Sequence, residues 1–453
     1  MLAFTGAVPS AQAEQPGVVS PAAGPALSLD DCLRETMTAN HALLARSLEA
    51  DAAVARRRGA GAARLPRLGV QASAQYATDP LRVRPAIANG EAGVFSNEVW
   101  QASVGASLPL FTGGRLVAEQ EAARLLAEAA QADLAHSRQA LAVRVVALFQ
   151  EALALRSVVT SLEQSQVALN TQLERIDALL RQQKAAEVDR LRVSVRLARV
   201  EQSAIEARSR LEVVHATLAV LMGRNPERPV SLAGELVAPT APTDIADGVG
   251  ERGDELAARA RATAAERQAR AARAAWYPSL DAVASWGPRS DFAGSARYEA
   301  GFAGAQLSWN LWDFGRTQSR IAEAKATARA RAELSAETSL QRRLEFTAAD
   351  SAVRSAEARI AASRLAVEQA RESLRIEQSK YDLGRGAIVD VLDAQSAAVE
   401  AEALRARALA DYAVAAAGRD FAAGRIFTPA AVLPALRADP STSSVSTSTV
   451  LRQ

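Results

Sequence analysis

Cysteine occurs once, histidine and methionine three times each, and aromatic residues make up only 4% of the 453-residue chain. The single Cys32 excludes an intrachain disulfide framework and a thiolate zinc cluster. Asp31 stands before it, where a lipid-attachment site would carry a small residue. His41, His136 and His215 lie far apart on helical segments, which speaks against a metal site or a catalytic histidine. No glycine-rich phosphate cradle is present, so no nucleotide and no other cofactor is expected, and energy for any transport must come from a partner. No run of 18 or more apolar residues occurs in the sequence, so no membrane-spanning helix is expected and entry into a bilayer must be by strands. Charge of one sign is lacking too. Basic and acidic residues number 53 and 51, with arginines interleaved among Glu and Asp, which leaves no electrostatic footprint for nucleic acid. Lysine is confined to Lys184, Lys325 and Lys380, a compositional bias that carries no function.

What remains is 49% apolar residues, mostly Ala, Leu and Val, in a background of Arg, Glu and Gln. The length allows two or three ordinary domains, and the composition favours long helices packed closely along one another. The opening "MLAFTGAVPSAQAEQP" has a short apolar run and Ala11-Gln12-Ala13, a small-residue cleavage pattern, without a positively charged front. Residues 1–27 are expected to be a signal-peptide remnant and flexible N-terminus of an exported protein.

The chain is written twice. "LPLFTGGR" (108–115) is echoed by "LSWNLWDFGR" (307–316), "EVDRL" (187–191) by "IVDVL" (388–392), and "MGR" (222–224) by "AGR" (423–425). The matched residues Gly114/Gly315 and Asp189/Asp390 share one spacing of 201 residues. Upstream, "LPRLGVQAS" (65–73) resembles "YPSLDAVAS" (277–285) at a spacing of 212, so a longer loop, 77–98, is expected in the first half.

Each half reads helix, strand, loop, strand, very long helix, turn, helix. The strands show period-2 alternation. Trp100, Ala102, Val104, Ala106, Leu108 and Leu110 oppose Gln101, Ser103, Gly105 and Ser107, and the counterpart Ala303, Ala305, Leu307, Trp309 and Leu311 opposes Gly304, Gln306, Ser308 and Asn310. Segments 68–76 and 280–287 alternate likewise. The tryptophans Trp100, Trp276, Trp286, Trp309 and Trp312 lie in or beside these strands, as rings at a water–lipid boundary do. The alternative is the core of a small soluble sheet, but each strand is near the ~10 residues that cross a bilayer. Four strands cannot close a barrel, and an open edge in lipid leaves backbone groups unpaired. A barrel shared among copies is therefore expected, of eight strands for two copies or twelve for three.

After each glycine the pattern is helical for about 67 residues, or about 100 Å. Leu141, Leu148, Leu155, Leu162, Leu169 and Ile176 recur every seventh residue, as do Phe346, Val353, Ile360, Val367, Leu374 and Tyr381. Ala349, Ala356, Ser363 and Ala370 supply small companions. A strict seven-residue repeat means left-handed coiled-coil packing.

The second-half turn, "YDLGRGAIVDVLDAQ" (381–395), carries Asp390 and Asp393 three residues apart, on one helix face. A helix cap is one use for Asp390. A two-carboxylate hydrolase is not, because no further acid, histidine or aromatic platform surrounds the pair.

Together, the duplication, the strand pairs with heptad helices, "LFTGG"/"LWDFGR" and "YDLGRGAIVDVLDAQ" resemble the TolC family of outer-membrane export channels over residues 28–425. The resemblance implies a mainly α fold with four membrane β-strands, internally duplicated: a long α-helical coiled-coil barrel continuous with a trimer-shared 12-stranded β-barrel. Its parts are a first repeat at 28–225 (strands 68–76 and 99–110, long helix 116–182, returning helix 187–222), a linker at 226–250 and a second repeat at 251–425. The second repeat carries strands 280–287 and 298–311, long helix 317–383 and returning helix 388–422, followed by a disordered tail at 426–453. By resemblance Asp390 and Asp393 line a pore gate at the periplasmic tip, with Asp189, Tyr381 and Arg385 in the network that holds it closed. Gly384, Gly386, Gln183 and Lys184 form tip turns for adaptor docking, and Trp100, Trp286, Trp309 and Trp312 mark the membrane interface. The implied function is a passive outer-membrane exit duct for type I protein secretion or small-molecule efflux. Its implied partners are two further copies, a periplasmic adaptor, an inner-membrane ABC or proton-driven transporter and the lipid bilayer. A non-channel coiled-coil protein of the envelope is the alternative.

Overall fold

The computed structural model describes residues 26–86, 90–228, 230–238, 250–294 and 296–425. The expected tail at 426–453, most of the N-terminal segment and the linker residues 239–249 lie outside them. In chain order the elements are α1 (Leu29–Ala39), α2 (His41–Ala62), β1 (Arg67–Arg84), β2 (Val94–Phe111), α3 (Arg115–Arg181) and α4 (Glu187–Leu221). There follow α5 (Gly253–Arg273), β3 (Ser279–Asp291), β4 (Arg297–Ser308), α6 (Arg316–Asp382) and α7 (Ile388–Ala422). The chain divides into two compact units.

One unit comprises Met37–Val146, Ala238–Ala362 and the chain from Asp411. It holds the sheet, antiparallel in the order β1-β2-β3-β4. The register aligns the alternation across all four strands: Leu68 faces Ala106, which faces Ala284, which faces Ala303. Val70, Val104, Trp286 and Gly301 form the next row. A Cβ on Gly301 would stand 2.9 Å from the Trp286 ring, so the small residue makes room for the indole. Polar Gln71, Ser103 and Ser73, Gln101 pair on the opposite face. Among the described residues β1 and β4 do not pair with each other, and nearly all of both strands is exposed. Leu68 and Val70 are 78% and 79% exposed, which excludes the soluble-core reading of this sheet.

Four strand ends differ from the sequence expectation: β2 begins at Val94 rather than 99, β3 runs on to Asp291 rather than 287, and the ends of β1 and β4 shift as well. β1 continues through residues 77–84, where a loop was expected. After an irregularity at Tyr76/Leu81 it pairs again, with Leu81 opposite Ser96. The Asn97 amide bridges that irregularity by donating to the carbonyls of Ala77 and Thr78, both at 2.9 Å, and Pro80 is tolerated because β1 is an edge strand. β4 stops at Ser308 rather than residue 311. Its partner among the described residues, β3, begins at Ser279 directly after Pro278, which has no N–H to offer a ladder. Trp309 and Leu311 therefore lie beyond the sheet.

Below the sheet this unit is clasped by charge. The Arg252 side chain, 3% exposed, donates to Asp254 and Glu345, each at 2.6 Å, and its guanidinium lies 5.2 Å over the Phe421 ring. Phe421 in turn tilts against His136 at 5.3 Å. Burial raises the Asp254 carboxyl, but the Arg252 bonds outweigh it and hold the group below its ordinary value. Glu255 is lowered in the same way by Arg342.

The other unit comprises the chain up to Thr36, Ala147–Val237 and Ser363–Ala410. Its core is a helical bundle of Leu162, Leu169 and Ile176 from α3, Val193, Val200 and Ala207 from α4, and Ile388, Val391 and Leu392 from α7. Leu374 and Tyr381 of α6 pack against it. The seven-residue spacing is realised on α3 from Leu162 to Ile176. Lower down it is displaced: Leu148 and Leu155 are only partly buried, while Phe149, Ala152 and Leu153 are buried. The cause is a strap after α4. Leu27 and Leu232 form a parallel bridge, Arg156 donates to the carbonyls of Leu232 and Gly234, and Gly234 lies against the Phe149 ring. α3 here packs on a second side that the heptad does not record. An 18-residue window of α3 is apolar enough to cross a membrane, but half of that window is buried within the chain.

Candidate functional site

The site is the pair of turns that ends the helical bundle, with the first residues of α4 and α7. Both turns close in one hydrogen-bond pattern. After α3, Lys184 N–H donates to Leu179 O and Gln183 N–H to Leu180 O, both at 2.9 Å. After α6, Arg385 N–H donates to Lys380 O and Gly384 N–H to Tyr381 O, again at 2.9 Å. This is the Schellman closure, which needs a left-handed residue just past the helix. Gly384 supplies it with φ 69°, and Gln183 adopts it at φ 58° without being glycine. The departure from glycine in the first half changes the residue but not the path of the backbone.

Asp189 and Asp390 stand at the third residues of α4 and α7. Asp390 is therefore not the cap residue; its N–H donates to Ala387 O at 3.2 Å, and its carboxylate sits in the first turn, where negative charge is favoured. Asp390 and Asp393 are both exposed and flank Val391 and Leu392, which are buried. The apolar pair thus fixes α7 against the bundle and leaves the acids free of it. Asp393 opens on a groove of about 380 Å³ lined by Val188, Leu191 and Val195 with Arg192, Arg196 and Arg199 of α4.

Tyr381 lies within electrostatic reach of Asp189. Burial pushes the Tyr381 phenol up, the nearby Asp189 carboxylate adds to the rise, and Gln172 and Arg175 pull the other way. Asp189 also lies 3.6 Å from Arg192. Arg385 is not part of this cluster: it is exposed and pairs with no carboxylate among the described residues. The arginines that tie the tip are others. Arg175 of α3 donates to Asp382 at the end of α6, and Arg190 of α4 donates to Asp177 of α3 at 3.0 Å. Sequence reasoning missed both pairs, although Asp382 adjoins Tyr381 and Arg175 adjoins Ile176 of the heptad. Gln183, Lys184 and Gly384 are exposed in the turns; Gly386 is half-buried against Lys380.

The tryptophans separate into two groups. Trp100 and Trp286 lie within the sheet, opposite Ala74 and Val104. Trp309 and Trp312 lie past the end of β4, with Trp309 Nε1 donating to Trp276 O at 3.2 Å. No cluster of three or more potential metal-ligating side chains is present among the described residues.

Residues 33–224 and 251–425 match the model of the family described as outer membrane efflux protein. No curated protein matches the chain. Among solved structures, the chain is similar to the outer membrane protein VceC of Vibrio cholerae. Identity is 21%, TM-score 0.76, and the match covers 88% of this chain and 97% of that one. It is similar to the MtrE outer membrane channel of Neisseria gonorrhoeae in its open state, with 19% identity, TM-score 0.73 and coverages of 88% and 89%. The CmeC outer membrane channel of Campylobacter jejuni matches with 15% identity, TM-score 0.77 and coverages of 87% and 85%. The chain, mostly helical with four antiparallel strands, belongs to the outer membrane efflux protein family, whose members are outer-membrane channels of Gram-negative bacteria and not enzymes.

Proposed function

We propose that this chain is one third of a passive, trimeric exit duct that spans the outer membrane with its strands and the periplasm with its helices. Channels of this family generally work with adaptors and inner-membrane transporters. By this reading the duct receives cargo, a secreted protein or small molecules, from an ABC or proton-driven transporter through a periplasmic adaptor. The observation that carries the reading is the open sheet. An aligned apolar face with two unpaired edges is stable in lipid only if further copies pair those edges. Three copies give twelve strands, and the aligned row from Val70 to Gly301 becomes the lipid-facing wall, with Trp100, Trp286, Trp309 and Trp312 as its aromatic anchors.

At the tip, threefold symmetry turns Asp390 and Asp393 into two stacked rings of carboxylates, which favour cations and narrow the entrance. The interaction of Tyr381 with Asp189 ties α6 to α4, the Arg175–Asp382 pair ties α6 to α3, and Val391 and Leu392 hold α7 in the bundle, so opening requires these interactions to part. The exposed turns at Gln183, Lys184, Gly384 and Gly386 form the adaptor-docking surface, and Arg385 is free to pair across a subunit boundary. The test is to run the detergent-solubilised full chain on gels with and without heating and to record it in planar bilayers. A heat-dissociable trimer that conducts is expected; a monodisperse monomer in detergent-free buffer overturns the reading.

A further inference from the structure

The two strand-to-helix turns of the duplicated chain follow one backbone path but are built for different surroundings. In the first, Gly113 and Gly114 take φ 62° and 82°; in the second, Phe314 and Gly315 take 54° and 87°. A side chain is impossible at Gly113, where a Cβ would meet the Tyr277 Cβ at 2.8 Å and Ala274 O at 3.0 Å. Phe314 holds the same left-handed conformation, which a bulky residue adopts only under constraint, and its side chain is 92% exposed. Its ring neighbour among the described residues is Trp312, edge-on with centroids 6.0 Å apart and itself 77% exposed. With Trp309 and Leu311 this makes an apolar knob directly below the sheet.

Charge differs in the same place. In the first half Arg115 pairs with Glu119 at 3.0 Å. The matching positions hold Arg316 and Arg320, both exposed; Arg316 interacts through charge with the nearby Asp313 carboxylate, but neither arginine forms a salt bridge among the described residues. A neighbouring copy offers these arginines little through its own α3 start, because Glu119, Glu121 and Glu128 are already paired with Arg115, Arg267 and Arg124.

Building on the outer-membrane placement, we propose that the β4–α6 turn is a lipid-binding foot specific for anionic phospholipid. Trp309, Trp312 and Phe314 enter the acyl boundary of the leaflet below the sheet, and Arg316 and Arg320 hold the phosphates of anionic headgroups. Aromatic rings beside basic side chains are the composition that anchors protein at a charged interface. The strained Phe314 conformation is retained because it directs a ring into lipid, and the first half, closed by Tyr277, has no such foot.

The test is quenching of tryptophan fluorescence by lipids brominated in their acyl chains. The full chain is reconstituted in phosphatidylethanolamine vesicles doped with brominated phosphatidylglycerol or, separately, brominated phosphatidylethanolamine. The Trp312 signal is taken as the difference between wild type and Trp312→Phe, and Trp100 is followed likewise. Expected is stronger quenching of Trp312 by the anionic lipid, by at least about threefold given the pull of two basic side chains. That preference is lost in Arg316→Gln/Arg320→Gln and kept in Arg316→Lys/Arg320→Lys. Equal quenching of wild-type Trp312 by the two lipids overturns the proposal without any variant. Quenching of Trp100 but not Trp312 overturns it by showing the foot covered by a second copy. Quenching of neither overturns the membrane placement and the proposal with it.

Discussion

The two turns that end α3 and α6 follow the same route with different residues, and the two helices that leave them carry different charge. Gln183 and Gly384 occupy one left-handed position, Asp189 and Asp390 one first-turn position, but Arg192 corresponds to Asp393. In the first half the acid pairs with Arg192 and lies within electrostatic reach of Tyr381. In the second, both acids stay exposed on α7 while Val391 and Leu392 anchor the helix. The duplicated backbone thus supplies the frame twice, and side-chain substitution makes one copy a brace and leaves the acids of the other exposed, as the proposed gate lining requires.

The largest effect is expected from Asp390→Ala combined with Asp393→Ala. Conductance in planar bilayers should rise and cation preference should fall, whereas Asp189→Ala should loosen the closed state while leaving much of the preference intact. Equal loss of selectivity from both would erase the distinction. Next, Gly384→Val forces a β-branched residue into the left-handed position and should lower stability by about 2 kcal/mol. Gln183→Gly should raise it by about 0.5 kcal/mol, because relief of the strained position is partly offset by a freer unfolded chain. Thermal unfolding of the helical signal reads both. Tyr381→Phe removes a half-buried hydroxyl beside Asp189 and should cost about 1 kcal/mol or less. Single-channel opening should become more frequent; unchanged opening leaves the tyrosine a packing residue only.

The smallest effect concerns the charged clasp at Arg252, far in sequence from the tip. Asp254 and Glu255 have lowered folded values, so their contribution to stability is complete above the ordinary carboxylate range and is lost as pH falls through the lowered values. Asp254→Asn should flatten the decline of the thermal midpoint as pH falls below 3.8, the ordinary aspartate value, toward the lowered folded value, while leaving the tip contacts unaffected.

Much of this was legible because it is periodic. The period-2 alternation in Leu68–Tyr76 and Trp100–Leu110 fixes one apolar face whatever the partner strand, since successive side chains must point to opposite sides. The register then aligned those faces. The strand ends were not legible, because they depend on which partner offers a backbone donor: Pro278 ends β4 from across the ladder, and Asn97 rescues β1 beyond Tyr76. The heptad located Leu162, Leu169 and Ile176 but misplaced the packing near Phe149, which is set by a strap from residues about eighty positions away. At the tip, Tyr381 and Asp189 could be picked out by motif, whereas Arg175–Asp382 is a pairing between helices 207 residues apart in sequence and leaves no local trace.

By itself the sequence determined the doubling of the chain, the alternation that makes the strands amphipathic and the helical stretches that follow each glycine. These are local consequences of side-chain spacing along one backbone. That Gln183 can stand in for glycine, which arginines brace the tip and where each strand ends emerge from the three-dimensional packing. Those outcomes rest on hydrogen bonds and ion pairs between segments that the linear order keeps apart.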